Sequence, residues 1–120
     1  MQDLIAATGA TNVGLCLDTF HWYTAGETTA ELLELLPTDV VSVDVNDAVA
    51  GIHVDEQVDS QRELPGATGV IDVAGFIDAL RDIGYDGPVQ VEPFNAPLRA
   101  LAPDQAVART STALKAVLQS

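Results

Sequence analysis

Acidic residues stand where the apolar runs of this chain end. Asp18 closes Asn12–Asp18 (NVGLCLD) and is followed three residues on by His21, in LDTFHW. Asp44 and Asp47 lie in VDVNDA, at the end of the β-branched run Val40–Asn46, and Glu92 lies in PVQVEPF. If these runs are parallel strands, their carboxyl ends share one rim, which is where parallel α/β proteins bind ligands. Carboxylates that converge repel one another, and a divalent cation relieves the repulsion. Oxygen ligands with an occasional imidazole suit Mg²⁺, Mn²⁺ or a related ion better than a thiolate zinc site.

Each of these residues also has a plainer role open to it. Asp18 can cap the turn after its strand, His21 can pack beside Phe20 and Trp22, and Asp47 can cap the loop that follows it. Asp44, between Val43 and Val45, is an odd lone acid inside a strand, and Glu92, between Val91 and Pro93, sits in an apolar setting that favours a cation. His53 and Arg62 are the basic side chains of a long irregular stretch. Cys16 reads as a small core side chain, because nothing near it in sequence is electropositive.

The elements that must position these groups alternate in type. Helical patterns run over Glu27–Leu36, stopped by Pro37, and from the Asp72 cap through Val73, Phe76, Ile77, Leu80 and Ile83 to Gly84. A last helix opens at Pro103 and Asp104 with Val107, Thr110, Leu114, Val117 and Leu118 on one face, and Met1–Thr8 looks like the tail of another. Strand patterns cover Asn12–Asp18, Val40–Asn46 and Pro88–Phe94. This order predicts parallel βα units with right-handed crossovers, and runs such as VGLCL suit strands covered on both faces. Asp47–Ile71 has little regular pattern; with Pro65-Gly66 and Gly69, it is expected to be an ordered loop over a site.

Composition narrows the function classes. The 120 residues carry a formal charge of −13, and residues 1–61 hold 11 acids and no Lys or Arg. Such a field repels phosphate backbones and favours cations, so no nucleic-acid partner is expected. No apolar run reaches the ~20 residues of a membrane span, and the one cysteine, Cys16, permits no internal disulfide. A cytoplasmic protein with no membrane partner is expected. No D-x-[DN]-x-[DN]-G calcium loop is present.

LDTFHW, VDVNDA, RELPGATGVID and GYDGPVQVEPF, in this order and spacing, resemble the C-terminal part of the xylose isomerase-like TIM barrel superfamily, most closely its inosose isomerase-like branch. The resemblance implies sugar or cyclitol isomerase or epimerase chemistry: a divalent ion (Mn, Mg, Co or Zn) stabilises an enediolate while carboxylates move the proton. By the same resemblance Asp18 and Glu92 match metal ligands, and Glu92 also matches one of two catalytic glutamates. His21 matches a substrate contact, and Arg62, in R-E-L-P-G, a loop residue near the substrate; His53 is added as a further substrate contact. The family's H-x-x-D pattern here reads Asp44-Val45-Asn46-Asp47, so Asp44 stands in for a histidine ligand. A further glutamate ligand, from a preceding strand, has no counterpart. The abasic-site endonucleases of the superfamily use many histidines, whereas this chain has two.

A full (β/α)₈ barrel takes about 250 residues. Residues 1–120 therefore read as a partial barrel of about three C-terminal βα units, with an open sheet edge on each side. The expectation is a truncated longer protein whose activity needs the N-terminal strands, or one that assembles with further copies or a complementing barrel fragment. The alternative is a non-catalytic remnant or carbohydrate-binding module.

Overall fold

The computed structural model describes all residues, Met1–Ser120. In chain order its elements are α1 (Gln2–Thr8), β1 (Leu15–Asp18), α2 (Thr19–Thr24), α3 (Thr29–Leu33), β2 (Val40–Asp44), α4 (Val73–Asp82), β3 (Val89–Gln90), α5 (Ala96–Arg99) and α6 (Pro103–Gln119). Short 3₁₀ turns occupy Pro37–Asp39 and Val54–Glu56. The three strands form one parallel sheet in the order β1-β2-β3. Asp18 pairs with Asp44 across β1 and β2, and Asp44 with Gln90 across β2 and β3, so the register itself lines the acids up.

Several elements are shorter than their sequence patterns, each for a local reason. β1 begins only at Leu15, because Gly14 is pressed against the next strand: a Cβ there would lie 2.5 Å from Val41 Cγ2 and 2.8 Å from the Asp39 carbonyl. α3 is opened by a capping box of Thr28 and Glu31, but the Leu36 amide is taken by the Asp39 carboxylate (3.0 Å), which starts the turn at Pro37. β3 stops at Gln90. Beyond it Pro93 has no amide to donate, and the Phe94 and Asn95 amides turn back to the carbonyls of Glu92 (2.9 Å) and Pro93 (2.8 Å).

The core lies on one side of the sheet. Val43 and Val45 pack with Val73, Phe76, Ile77 and Leu80 of α4, and Trp22 meets Phe76 edge-on with ring centroids 5.3 Å apart. α4 begins where Asp72 accepts from the Gly75 amide (2.9 Å) and ends at Gly84, whose φ of 80° is the left-handed stop expected from sequence. α6 buries Val117 and leans Leu114 and Leu118 on the same core, but Val107 is 69% exposed and drops out of the predicted face. The other side of the sheet is not covered by helices. Cys16 and Gln90 are exposed there and Ser42 is half-buried, correcting both the expectation of strands covered on two faces and that of Cys16 as a core residue.

The long segment after β2 is ordered, and Asp47 is the reason. Its side chain is fully buried, and its two oxygens accept amide N–H bonds from Ala48 (2.9 Å), Thr68 (3.0 Å), Gly69 (2.8 Å) and Ile71 (3.0 Å). Its backbone exchanges two hydrogen bonds with Glu63 in an isolated antiparallel bridge. Burial opposes ionisation of Asp47, but the four amides outweigh it and hold the carboxyl below its ordinary range. Asp47 is thus the clasp of the loop, and its carboxylate does not join the rim cluster.

With its folded pKa lowered, Asp47 stabilises the fold above its unfolded pKa, and that contribution is lost as pH falls through the folded value. Asp47→Ala also strands four amides, so urea unfolding near neutral pH is expected to show a loss of about 3–5 kcal/mol. A loss below about 1 kcal/mol would contradict the clasp.

Candidate functional site

Asp18 serves two elements at once. It ends β1 and caps α2, its Oδ1 accepting from the amides of Phe20 (2.8 Å) and His21 (3.4 Å), while Oδ2 accepts from Arg62 Nη1 at 2.8 Å. Asp44, one strand over, takes the Cys16 thiol on Oδ2 (3.4 Å); its Oδ1 is buried and has no partner. Glu92, on the extended segment beyond β3, accepts from Arg62 Nη1 through Oε2 at 3.2 Å. Asp18, Asp44 and Glu92 each offer an oxygen within 4.8 Å of the others.

Arg62 is a loop residue, as expected from sequence, and it is buried. Its side chain is 2% exposed and lies against the carboxylates. Beyond Asp18 and Glu92, its Nη2 donates to Asp59 Oδ1 at 2.6 Å and its Nε to the Asp59 carbonyl at 2.9 Å. The guanidinium carbon stands 4.7 Å from the Phe20 ring centroid and 5.2 Å from that of Phe94. Burial disfavours the charge, but Asp59 and Asp18 more than offset it, so the Arg62 pKa is raised and the group stays cationic. His21 joins the edge of this network, with Nε2 3.3 Å from both Asp59 Oδ1 and Arg62 Nη2. His53 does not: it caps the turn at Val54–Glu56, and its Nδ1 faces only Asp55.

Three residues of the site carry no weight in the sequence reading. Thr19 and Asn46, both fully buried, lock the end of β2 to the start of α2, the Thr19 hydroxyl donating to the Asn46 carbonyl (2.8 Å) and accepting from its amide (2.8 Å). With its side-chain oxygen turned to Arg62 Nη1 (3.0 Å), Asn46 also donates to the Glu92 carbonyl (2.7 Å). A polar residue two positions beyond Asp44 in an apolar run is the signal that could have found it. Asp59 is one acid among many in the loop, and nothing in the sequence separates it from the rest.

The donor set fits a divalent cation. It is all carboxylate oxygen, as a hard ion requires, and the orphaned Asp44 Oδ1 is a buried acceptor with no protein donor. The Cys16 thiol lies beside this donor set, 3.4 Å from Asp44 Oδ2. The Ser42 hydroxyl (3.1 Å) favours its thiolate, but burial and the Asp44 carboxylate win and push the thiol up. The midpoint of Cys16 alkylation by iodoacetamide against pH is therefore expected above that of a free cysteine, and Asp44→Asn is expected to lower it. An unchanged midpoint in that variant would break the Cys16–Asp44 link.

The family model for the xylose isomerase-like TIM barrel matches residues 1–117. The inosose isomerase of Bacillus velezensis is 27% identical over 116 residues, which cover 97% of this chain and 41% of that protein. The ketose 3-epimerase of Arthrobacter globiformis is 35% identical over 95 residues, 78% of this chain and 27% of that protein. Among solved structures, the IOLI protein with a binding zinc atom superposes with a TM-score of 0.88 at 24% identity, over 97% of this chain and 41% of that one. A xylose isomerase domain protein from Alicyclobacillus acidocaldarius gives 0.80 at 33% identity, over 98% and 41%. The chain thus spans less than half the length of these relatives, and its three parallel strands are part of a barrel. With the family model matching nearly from end to end, the chain belongs to the xylose isomerase-like TIM barrel family.

Proposed function

We propose that this chain carries the C-terminal half of a divalent-metal site for proton transfer beside the carbonyl of a sugar or cyclitol. The observation that supports this most is the convergence of Asp18, Asp44 and Glu92 within 4.8 Å, with one buried oxygen of Asp44 left without a partner. Those three residues would hold the ion. When bound, it would polarise a carbonyl and adjacent hydroxyl and stabilise the enediolate. The named activities of the relatives, inosose isomerase and ketose 3-epimerase, are both rearrangements of polyhydroxy ketones.

The protein's own groups divide the remaining work. Glu92, its side chain 44% exposed at the rim, is the carboxylate placed to take or return a proton. His21, exposed at the cluster's edge, can hydrogen-bond a substrate hydroxyl. Arg62, buried behind the rim, fixes Asp18 and Glu92. The exchange of a proton across both faces of a substrate carbon needs a second base, which Glu92 alone does not supply.

Calorimetric titration with Mn²⁺ is expected to show one site, weakened about tenfold or more by Glu92→Gln or Asp44→Asn, since each removes a charged ligand. Equal affinity in all three proteins would overturn the metal reading. In D₂O with Mn²⁺, NMR is then expected to show Glu92-dependent exchange of the α-hydrogen of an inosose or ketohexose. Metal binding without any exchange would favour the non-catalytic reading for these 120 residues.

A further inference from the structure

Resting on the metal reading above, we propose that Arg62 is the resident counter-ion of the carboxylate cluster, so that a divalent cation and the Arg62 guanidinium antagonise each other on Asp18 and Glu92. Loading the ion releases Arg62 toward the rim.

Four observations carry this. First, a single nitrogen, Nη1, holds both Asp18 Oδ2 (2.8 Å) and Glu92 Oε2 (3.2 Å), the two carboxylates that flank Asp44. Three carboxylates within 4.8 Å would otherwise repel without relief, so the guanidinium supplies at this cluster the positive charge that an ion would also supply. Second, a cation entering beside Nη1 meets a like charge at short range, and by reciprocity each must loosen the other's hold. Third, the opposite side of the guanidinium is tied elsewhere, Nε and Nη2 to the carbonyl and carboxylate of Asp59. Fourth, the Asp59 side chain is 60% exposed, so it can follow Arg62 outward and keep its charge paired. Asp59 therefore acts as a tether, a positioning residue that decides where the released guanidinium goes.

The consequence is an order of events at the rim. Arg62 is buried here with Nη2 already 3.3 Å from His21 Nε2, and an ion that takes Asp18 and Glu92 from Nη1 would leave the guanidinium held only on the side of His21 and Asp59. Cation occupancy would then prime the substrate contact.

Two measurements on the 120-residue chain test this. Mn²⁺ affinity, read by electron paramagnetic resonance of the free ion, is expected to be about tenfold tighter for Arg62→Met than for wild type. On the wild type, saturation with diamagnetic Mg²⁺ is expected to speed exchange of the Arg62 Nη1 protons with water about tenfold, as that donor loses Asp18 and Glu92 and becomes solvated. The second arm decides the matter if Arg62→Met does not fold. Wild type that binds the ion with no tightening in the variant, or with unchanged exchange at Nη1, overturns the antagonism and leaves the metal site standing. Absence of ion binding in both proteins overturns the antagonism and the metal site together.

Discussion

One buried guanidinium ties this structure's functional end together. Arg62 binds the end of β1 through Asp18, the segment beyond β3 through Glu92, and its own loop through Asp59. The strands' register brings Asp18 beside Asp44, yet nothing in backbone pairing alone holds like charges at one rim. A cation among them does, and in this chain Arg62 is a covalently attached one, set between Asp18 and Glu92. Breaking such a buried pair leaves uncompensated charge, which makes it far more consequential than the exposed pair of Arg81 with Asp78.

Arg62 reaches that position because the loop carrying it is itself clasped. Asp47 gathers four amides from both ends of the segment, its backbone pairs with Glu63, and the Arg62 amide donates to the Phe94 carbonyl at 2.8 Å. Two neighbouring acids, three residues apart, thereby take opposite parts. Asp47 is saturated by amides and serves architecture, whereas Asp44 keeps a buried oxygen unpaired beside Asp18 and Glu92. The environment, not the residue type, makes the difference. The sheet that supports both is covered by helices on one face only, with Cys16, Ser42 and Gln90 along the other, which in a whole barrel is the interior.

Much of this was legible in the residues. Strand ends are marked by the switch from apolar runs to acid, so Asp18, Asp44 and Glu92 could be placed on one rim before any coordinates, and the four motifs pointed to a partial barrel. The Asp72 cap and Gly84 stop of α4 were equally plain, because local chemistry sets them. Long-range pairings were not legible. The role of Arg62 depends on Asp18, 44 residues away, and that of Asp47 on amides more than twenty residues downstream. No periodicity reports such contacts. Cys16 was misread because an alternating sheet face looks apolar in sequence whether or not anything covers it. His53 was added to His21 as a substrate contact because residue type says nothing of which histidine lies beside the cluster.

Of the eighteen acids, the three rim carboxylates are the proposed cation site. Paramagnetic broadening of backbone amide signals by substoichiometric Mn²⁺ tests it most directly. The structure predicts broadening confined to residues around Asp18, Asp44, Arg62 and Glu92. Diffuse broadening led by exposed acids such as Asp55, Glu56 and Asp78 would contradict it.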